Sequence, residues 1–456
     1  MELASLFLPK SVAVIGVSSS NDRHPANVIF SKNLLRYAVR TFAVNPKGGL
    51  LHGEKVYSSV SNIPEEIDLA VIAVRAEYVE SVLQECIDTK VKSAIVISGG
   101  FAESGQDDMQ KRLVDLASRN DFPFVGPNCL GLYSPGLIDT FFLPTERMVQ
   151  PAQGDVAVVS QSGGILVDLL VKFADEGVGV SSAISIGNKA LIREQQLLEF
   201  LASDSRTRVI VFYIEGFDQN EGRDFVRIAR ECRKPVIVMK AGKTSEGGRA
   251  VSSHTASLAG DYQVFTSVLK QHSIIEARNE NELVSYCEAL SCYPEVSIEG
   301  KIGIVTGSGG HGAMAVDACI SSGLNVPGFS EAVRHQLRER FSKSINSIAA
   351  VGNPVDLTGS ALESDFVSAV ETLSAIEDVD CVLLLLLPYL PGISTDLGAS
   401  ISHVCRRSGK PLVAYVPHVD KYRMLIEGFE LNRVPVASSI ESAVHMTRVL
   451  RRCRPC

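Results

Sequence analysis

The residues best equipped for chemistry are one histidine and several short turns of small, hydroxylated and charged residues. His254 stands in the middle of GGRAVSSHTASLAG, residues 247–260, a stretch without an apolar period. An imidazole there could serve as nucleophile or base. On residue type alone, a surface histidine in a loop is the simpler reading. Three turns open alike: VIGVSSS, with Gly16 and Ser18; SQSGG, with Ser160, Gln161, Ser162, Gly163 and Gly164; and GSGGHG, with Gly309, Gly310, His311 and Gly312. A turn leading into a helix N-terminus offers free backbone N–H groups and the positive end of the helix dipole, both favourable to phosphate. Small residues also simply let strand and helix pack closely, so no single turn decides between the two.

Further polar groups follow other apolar runs. VNPK, residues 44–47, brings the ammonium of Lys47, which suits a phosphate. ISGGFAE, residues 97–103, includes Ser98. GPNCLG, residues 126–131, includes Asn128, whose amide could read a base or another amide. None of the three openings matches GxGxxG or GxxxxGK[ST], which weakens nicotinamide and P-loop readings. His24, His52, His272, His335, His403, His418 and His445 show no metal-site spacing, and no metal is expected. Cys453 and Cys456 form one CxxC, without a second pair or a neighbouring histidine.

The elements that must hold these turns are short β-branched runs, each followed by a helical pattern. SVAVIGVSSS, DVAVVSQSGG and KIGIVTGSGG repeat one opening: a buried strand, a small-residue turn, then a helix. RTFAVN, DLAVIAV and SAIVIS continue the first unit, RVIVFYI and PVIVMK the second, DCVLLLLL and PLVAYV the third. Strands alternating with helices imply parallel sheets covered on both faces. The expected fold is α/β, with three doubly wound parallel-sheet domains at 1–145, 146–295 and 296–456. The stretch 131–154 lacks a clean period and reads as a linker, as does CYPEVSIEG before Lys301.

Bulk composition sets limits. A chain of 456 residues exceeds a single core, and 45% apolar with 21% charged residues is an ordinary globular composition. A net charge of −8 argues against a nucleic-acid partner. CVLLLLLPYL, from Cys381, is strand-length and far short of the roughly 18 residues of a membrane span. MELASLFLPK lacks a signal peptide's basic start and cleavage site. No membrane association and a cytoplasmic location are expected.

Taken in order, VNPK, SGGFAE, GPNCLG, SQSGG, SIGNKA, YIEG, KPVIVMKAG, SSHTASLAG and NPVD cover essentially the whole chain. In that order they resemble the α subunit of the NDP-forming acyl-CoA synthetases, the ADP-forming acetate–CoA ligase group related to the succinyl-CoA synthetase α subunit. The resemblance implies a Rossmann-like CoA-binding domain followed by two flavodoxin-like ligase domains. It implies CoA contacts from Gly16, Ser18, Lys47, Ser98 and Asn128. It makes His254 the histidine phosphorylated during turnover, with Glu215 of YIEG hydrogen-bonded to it. A carboxylate accepting from one ring nitrogen would fix the tautomer and raise the basicity of the other. The phosphoryl group would be cradled by Ser160, Gln161, Ser162, Gly163 and Gly164 and by Gly309, Gly310 and Gly312.

The same resemblance implies inorganic phosphate and a small carboxylic acid or its acyl-CoA as substrates. ADP or ATP with Mg would lie on an ATP-grasp β subunit, in an α2β2 assembly. Three stretches depart from the family pattern: Ala256 after HT, Arg75 where proline is common, and Leu191 with Arg193 where an acidic residue is more usual. The arginine suggests an acid bearing an extra anionic group, because guanidinium pairs bidentately with carboxylate or sulfonate. Two alternatives stand beside the ligase: a CoA-binding regulatory or scaffold protein without turnover, and a nicotinamide-dependent oxidoreductase.

Overall fold

A computed structural model describes residues 2–218, 220–254 and 261–451, with the side chains of 252–254 outside the description. The chain forms two compact units, residues 1–276 and 277–456.

The first unit holds two sheets. In the first lie β1 (Ser11–Ile15), β2 (Arg40–Val44), β3 (Gly49–Leu51), β4 (Glu54–Tyr57), β5 (Leu69–Ile72), β6 (Ser93–Val96) and β7 (Phe124–Val125). Their order is β3-β4-β2-β1-β5-β6-β7, parallel except for the β3–β4 edge pair. The second sheet comprises β8 (Gly131–Ser134), β9 (Ile138–Asp139), β10 (Gln153–Ser160), β11 (Val180–Ser185), β12 (Val209–Ile214), β13 (Val236–Lys240) and β14 (Ile275–Ala277). It runs β14-β13-β12-β10-β11-β8-β9, with β10, β11, β12 and β13 parallel and β8 and β9 antiparallel additions. The stretch read as linker therefore supplies two strands. Its alternation is too short to show a period, and pairing with β11 makes Gly131–Ser134 a strand.

One apolar cluster runs through both sheets, from Leu3 to Ile274. Phe7 stacks on Phe200 at 4.5 Å between ring centres. The two layers are also joined by a buried ion pair, Lys32 Nζ to Asp139 Oδ2 at 2.8 Å, between the helix Pro25–Arg36 and β9.

In the second unit a third sheet comprises β15 (Ile302–Thr306), β16 (Ala350–Val351), β17 (Val355–Asp356), β18 (Cys381–Leu385), β19 (Leu412–Tyr415) and β20 (Val436–Ala437). Its order is β16-β17-β15-β18-β19-β20, with only β16 antiparallel. The helix Glu280–Cys292 belongs to this unit, and its Tyr286 ring meets His445 of the helix Ile440–Val449 edge to face at 6.4 Å.

The central strands read as unbroken apolar runs because both faces are covered, as in β5, β12 and β18. In each sheet the chain leaves one central strand to one side and returns on the other. These switch points are β1, between β2 and β5; β10, between β11 and β12; and β15, between β17 and β18. Ligands of open parallel sheets bind just beyond the carboxyl end of such a strand. The three small-residue openings of the sequence follow these three strands.

Candidate functional site

At the carboxyl edge of the first sheet the turn after β1 leaves no room for a side chain. Gly16 follows β1 at φ +106°, and a Cβ there would lie 2.4 Å from the Ala73 carbonyl oxygen. Asn27 fixes the next turn, accepting from Ser18 N and donating to Ser18 O, both at 2.7 Å. Asn45 Nδ2 donates to Val17 O at 2.6 Å, joining the loops after β1 and β2, and Lys47 projects exposed from the second of these. Ser98 Oγ donates to Val74 O at 2.5 Å, tying the ends of β5 and β6. Asn128 follows the cis Gly126–Pro127 bond at φ +56°, with its N–H donating to Ser98 O at 2.9 Å. The five residues implied as CoA contacts thus share one sheet edge. Cys129, next in the chain, is buried with its thiol donating to Val96 O at 3.3 Å, and burial pushes that thiol up to about 12.

Sequence reasoning gave no role to Glu103, at the end of SGGFAE. Its Oε1 accepts from Gly100 N and from Phe101 N, the latter at 3.1 Å, and its Oε2 accepts from Asn188. Burial raises the Glu103 carboxyl, but these hydrogen bonds outweigh it and hold the group below its ordinary range. Asn188 in turn accepts from Asn128 Nδ2 at 3.3 Å and donates to Gln110 Oε1 at 2.9 Å. Backbone bonds run alongside, Asn188 N to Pro127 O at 2.9 Å and Ala190 N to Gly126 O at 3.1 Å. Residues 187–190 of the second sheet's layer are thereby fastened to the loop that carries Asn128.

At the second switch point, the helix Gly163–Asp175 forms because Leu166, Leu169, Leu170 and Phe173 share a buried face. Ser162 caps it, its side chain accepting from Ile165 N at 3.4 Å. Ser160 Oγ donates to Ser162 O at 2.6 Å and accepts from Ser162 N at 3.1 Å, so this hydroxyl is spent inside the turn. Gly163 packs against Leu130, whereas a Cβ on Gly164 would meet nothing nearer than 4.0 Å, leaving that first helical turn open. Gln161 requires a correction. Its side chain points inward, accepting from Glu215 N at 2.6 Å and Gly216 N at 3.1 Å, and donating to Gly216 O at 2.8 Å and to Glu194. Its amide is unavailable to a phosphate.

Glu215 directly follows β12 and is 5% exposed. Lys240 Nζ donates to Glu215 O at 2.6 Å. Burial pushes the Lys240 ammonium below its ordinary range, against the pull of the nearby Glu215 carboxylate. Lys189 Nζ lies within 3.2 Å and 3.3 Å of the two Glu194 oxygens, 3.1 Å from Glu221 Oε2 and 2.9 Å from Gly216 O. Arg193, suggested above as a reader of an anionic acid, is ion-paired with Glu221 and, at 3.0 Å, with Asp218. Its charge is balanced within the chain, so the extra-anion suggestion loses its receptor. Arg75, at the end of β5, is exposed and pairs with Glu77 at 3.3 Å. His254 ends the helix Ser245–His254, and its side chain, like Ala256, lies outside the described residues.

The third switch point repeats the device of the second. Thr306 Oγ1 donates to Ser308 O at 3.2 Å and accepts from Ser308 N at 3.1 Å, as Ser160 does with Ser162. The helix Gly309–Ser321 starts there, with Gly309 and Gly310 exposed. Gly312 requires the second correction. Its N–H donates to Ser308 O at 3.1 Å within the helix, and its Cα packs between Pro354 and Thr306. It serves close packing, and no phosphate could use that N–H. His311 Nδ1 lies 3.2 Å from Ser308 Oγ. Of NPVD, Asn353 is structural: it donates to Ile302 O at 2.8 Å and Pro327 O at 2.9 Å and accepts from Ile304 N at 3.0 Å. The Asp356 carboxylate accepts from Thr358 N at 2.9 Å and faces Gly309 at the helix start.

Among the described residues no helix is long and apolar enough to cross a membrane, and no group of three or more His, Cys, Asp or Glu could hold a metal ion. Cys453 and Cys456 lie outside the described residues.

Comparisons with known proteins agree with this layout. Residues 10–135 match the model of a CoA binding domain, 153–290 that of a succinyl-CoA ligase like flavodoxin domain, and 302–396 that of a ligase-CoA domain. An acetate–CoA ligase (ADP-forming) of Archaeoglobus fulgidus is 40% identical over 84% of this chain and 54% of its own length. The α subunit of acetate–CoA ligase (ADP-forming) I of Pyrococcus furiosus is 35% identical over 97% of this chain and 96% of its own. The chain thus spans about half the length of some relatives, and nearly the whole of another. An acetyl-coenzyme A synthetase of Candidatus Korarchaeum cryptofilum, solved with phosphate and ADP, superposes with a TM-score of 0.88 at 29% identity, covering 98% of this chain and 96% of that one. The chain therefore belongs to the ADP-forming acetate–CoA ligase family, the NDP-forming acyl-CoA synthetases.

Proposed function

We propose that this chain is the CoA-binding and phosphohistidine part of an NDP-forming acid–CoA ligase, interconverting acyl-CoA, ADP and phosphate with acid, CoA and ATP. The three domains would be 1–145 for CoA and 146–295 and 296–456 for the ligase chemistry. In the ATP-forming direction, phosphate attacks the thioester carbonyl, the carbon–sulfur bond breaks and CoA leaves as thiolate, giving an acyl phosphate. A His254 ring nitrogen then attacks phosphorus and the carboxylate leaves. ADP finally takes the phosphoryl group from the histidine. Gly16, Ser18, Lys47, Ser98 and Asn128 would hold CoA, and positioning the thioester beside the phosphate would account for much of the rate.

Glu215 would orient the His254 ring and stabilise the charge that develops on it. In the first unit the free N–H groups at Gly163 and Gly164 would hold phosphate oxygens, Ser162 N being spent on Ser160 Oγ, and in the second unit those at Gly309 and Gly310 offer the same chemistry. ADP or ATP with Mg would be supplied by an ATP-grasp β subunit in an α2β2 assembly, a reading supported by the relatives named as α subunits.

The observation that carries this reading is Gln161. One amide joins the base of an open helix N-terminus to the Glu215–Gly216 turn at the switch point of the second sheet. That is where a carboxylate-oriented imidazole and a phosphate cradle must meet. The test is incubation with the ATP-grasp partner and γ-labelled ATP, followed by a search for acid-labile, base-stable label on this chain. His254→Ala should lose the label and Glu215→Gln should acquire it slowly. Full labelling of His254→Ala would refute the mechanism. CoA binding with no label in the parent would favour the regulatory or scaffold alternative.

A further inference from the structure

We infer that Lys189 is a positioning residue for the phosphohistidine step, acting with Gln161 through the Glu215–Gly216 turn; this rests on the role proposed for Glu215. The turn lies beyond the last ladder residue of β12, and buried side chains hold all four of its backbone polar groups. Glu215 N and Gly216 N donate to Gln161 Oε1, Glu215 O accepts from Lys240, and Gly216 O accepts from both Gln161 and Lys189. Glu194, fully buried, accepts from Lys189 and Gln161 alike and so locks the two donors together.

Stability alone does not account for a lysine here. Its side chain is 6% exposed between two carboxylates, Glu194 and Glu221, and a well-packed apolar residue is often as stable as a buried ion pair. An apolar residue could not grip Gly216 O. The position is also conformationally demanding, since Lys189 has φ +44°. Backbone bonds of Asn188 and Ala190 to residues 126–127 hold its loop in place, and these do not involve the lysine side chain. Loss of the ammonium therefore loosens the Glu215 turn, by removing one of the two donors to Gly216 O and the partner of Glu194, while the loop carrying Asn128 stays fastened. The consequence is a split: the phosphoryl step suffers and CoA binding does not.

The test is a double-mutant cycle in the full chain with its ATP-grasp partner. It reads the single-turnover rate of histidine labelling from γ-labelled ATP and the KM for CoA. Lys189→Met should slow labelling about 100-fold, the scale of a 1 Å misplacement. It should leave KM for CoA within about twofold, and Lys189→Arg, which keeps a charged donor, should recover most of the rate. Lys189→Met combined with Glu215→Gln should be no slower than Glu215→Gln alone, as expected of residues acting as a unit. If Glu215→Gln labels at the parental rate, the reading of Glu215 itself falls. If Glu215→Gln is slow but the two substitutions add in full, or Lys189→Met changes only KM, the role of Lys189 is overturned by itself. Should Lys189→Met fail to fold, Gln161→Met runs the same cycle from the other donor.

Discussion

Gly187→Ala is the most demanding perturbation of the junction between the two layers of the first unit. Gly187 has φ +53°, and a Cβ there would stand 2.2 Å from the Asn128 carbonyl oxygen and 2.4 Å from that of Pro127. The left-handed backbone alone costs an alanine about 1 kcal/mol. The overlap must then open by roughly 1 Å, since a Cβ rarely approaches a heavy atom closer than 3.0 Å. Both opposing atoms are backbone, so no side chain can swing away. Opening breaks the bonds from Asn188 N to Pro127 O and from Ala190 N to Gly126 O, about 1 kcal/mol each. The total is about 3–4 kcal/mol, which for a unit of this size lowers the melting temperature by roughly 5–7 °C. The same shift moves Asn188 and Lys189, so turnover should fall by about 100-fold. Thermal melting of the purified chain and steady-state rates with the partner subunit measure both effects. Melting within about 2 °C of the parent, with turnover at the parental rate, would refute the claim that Gly187 sets this junction.

Substitutions at two further residues probe the CoA edge. Glu103 has a folded pKa below the ordinary glutamate value, with the raising effect of burial outweighed by hydrogen bonds from Asn188, Gly100 and Phe101. Its stabilisation is therefore complete above the unfolded pKa of about 4.3 and is lost as the pH falls from there through the folded value. Melting curves of Glu103→Gln should lack this part of the acid limb; superimposable parent and variant profiles would remove Glu103 from the junction. Asn128 separates backbone from side chain. Asn128→Gly tolerates φ +56° and should raise KM for CoA about tenfold, one hydrogen bond's worth, with only a small loss of melting temperature from the lost 3.3 Å bond to Asn188. Asn128→Ala should worsen both, and a parental KM in Asn128→Gly would mean that the amide does not touch CoA.

The ends of the strands were the most legible part of this protein. Apolar runs such as VIVFYI and CVLLLL mark strands covered on both faces, and the small residues after β1, β10 and β15 mark the turns into helices. Gly16, Ser18, Lys47, Ser98 and Asn128 each follow such a run, and the family resemblance is what joined them into one set of implied CoA contacts. Harder to read were residues whose role depends on partners far along the chain. Lys189 looks like a surface lysine in GNKA; only packing shows it buried between Glu194 and Glu221. Gln161 sits among glycines and serines and looks like part of an anion cradle, yet its amide meets residues more than 50 positions away. Arg193 reads in the sequence as a cation open to a substrate, but Asp218 and Glu221 lie against it.

The sequence by itself determined the three switch-point turns, the α/β class and the types of groups gathered at the strand ends. It could do so because strand burial, turn geometry and helix starts are local, written in a few consecutive residues. Only the tertiary structure decided which groups remain free for a ligand. That depends on long-range pairing: a Gln161 amide consumed by a turn 54 residues on, a glutamate holding two loops together, a glycine where two backbones nearly touch. Charge and hydrogen-bonding capacity are carried by the residue, but whether they are spent is settled by its neighbours in space.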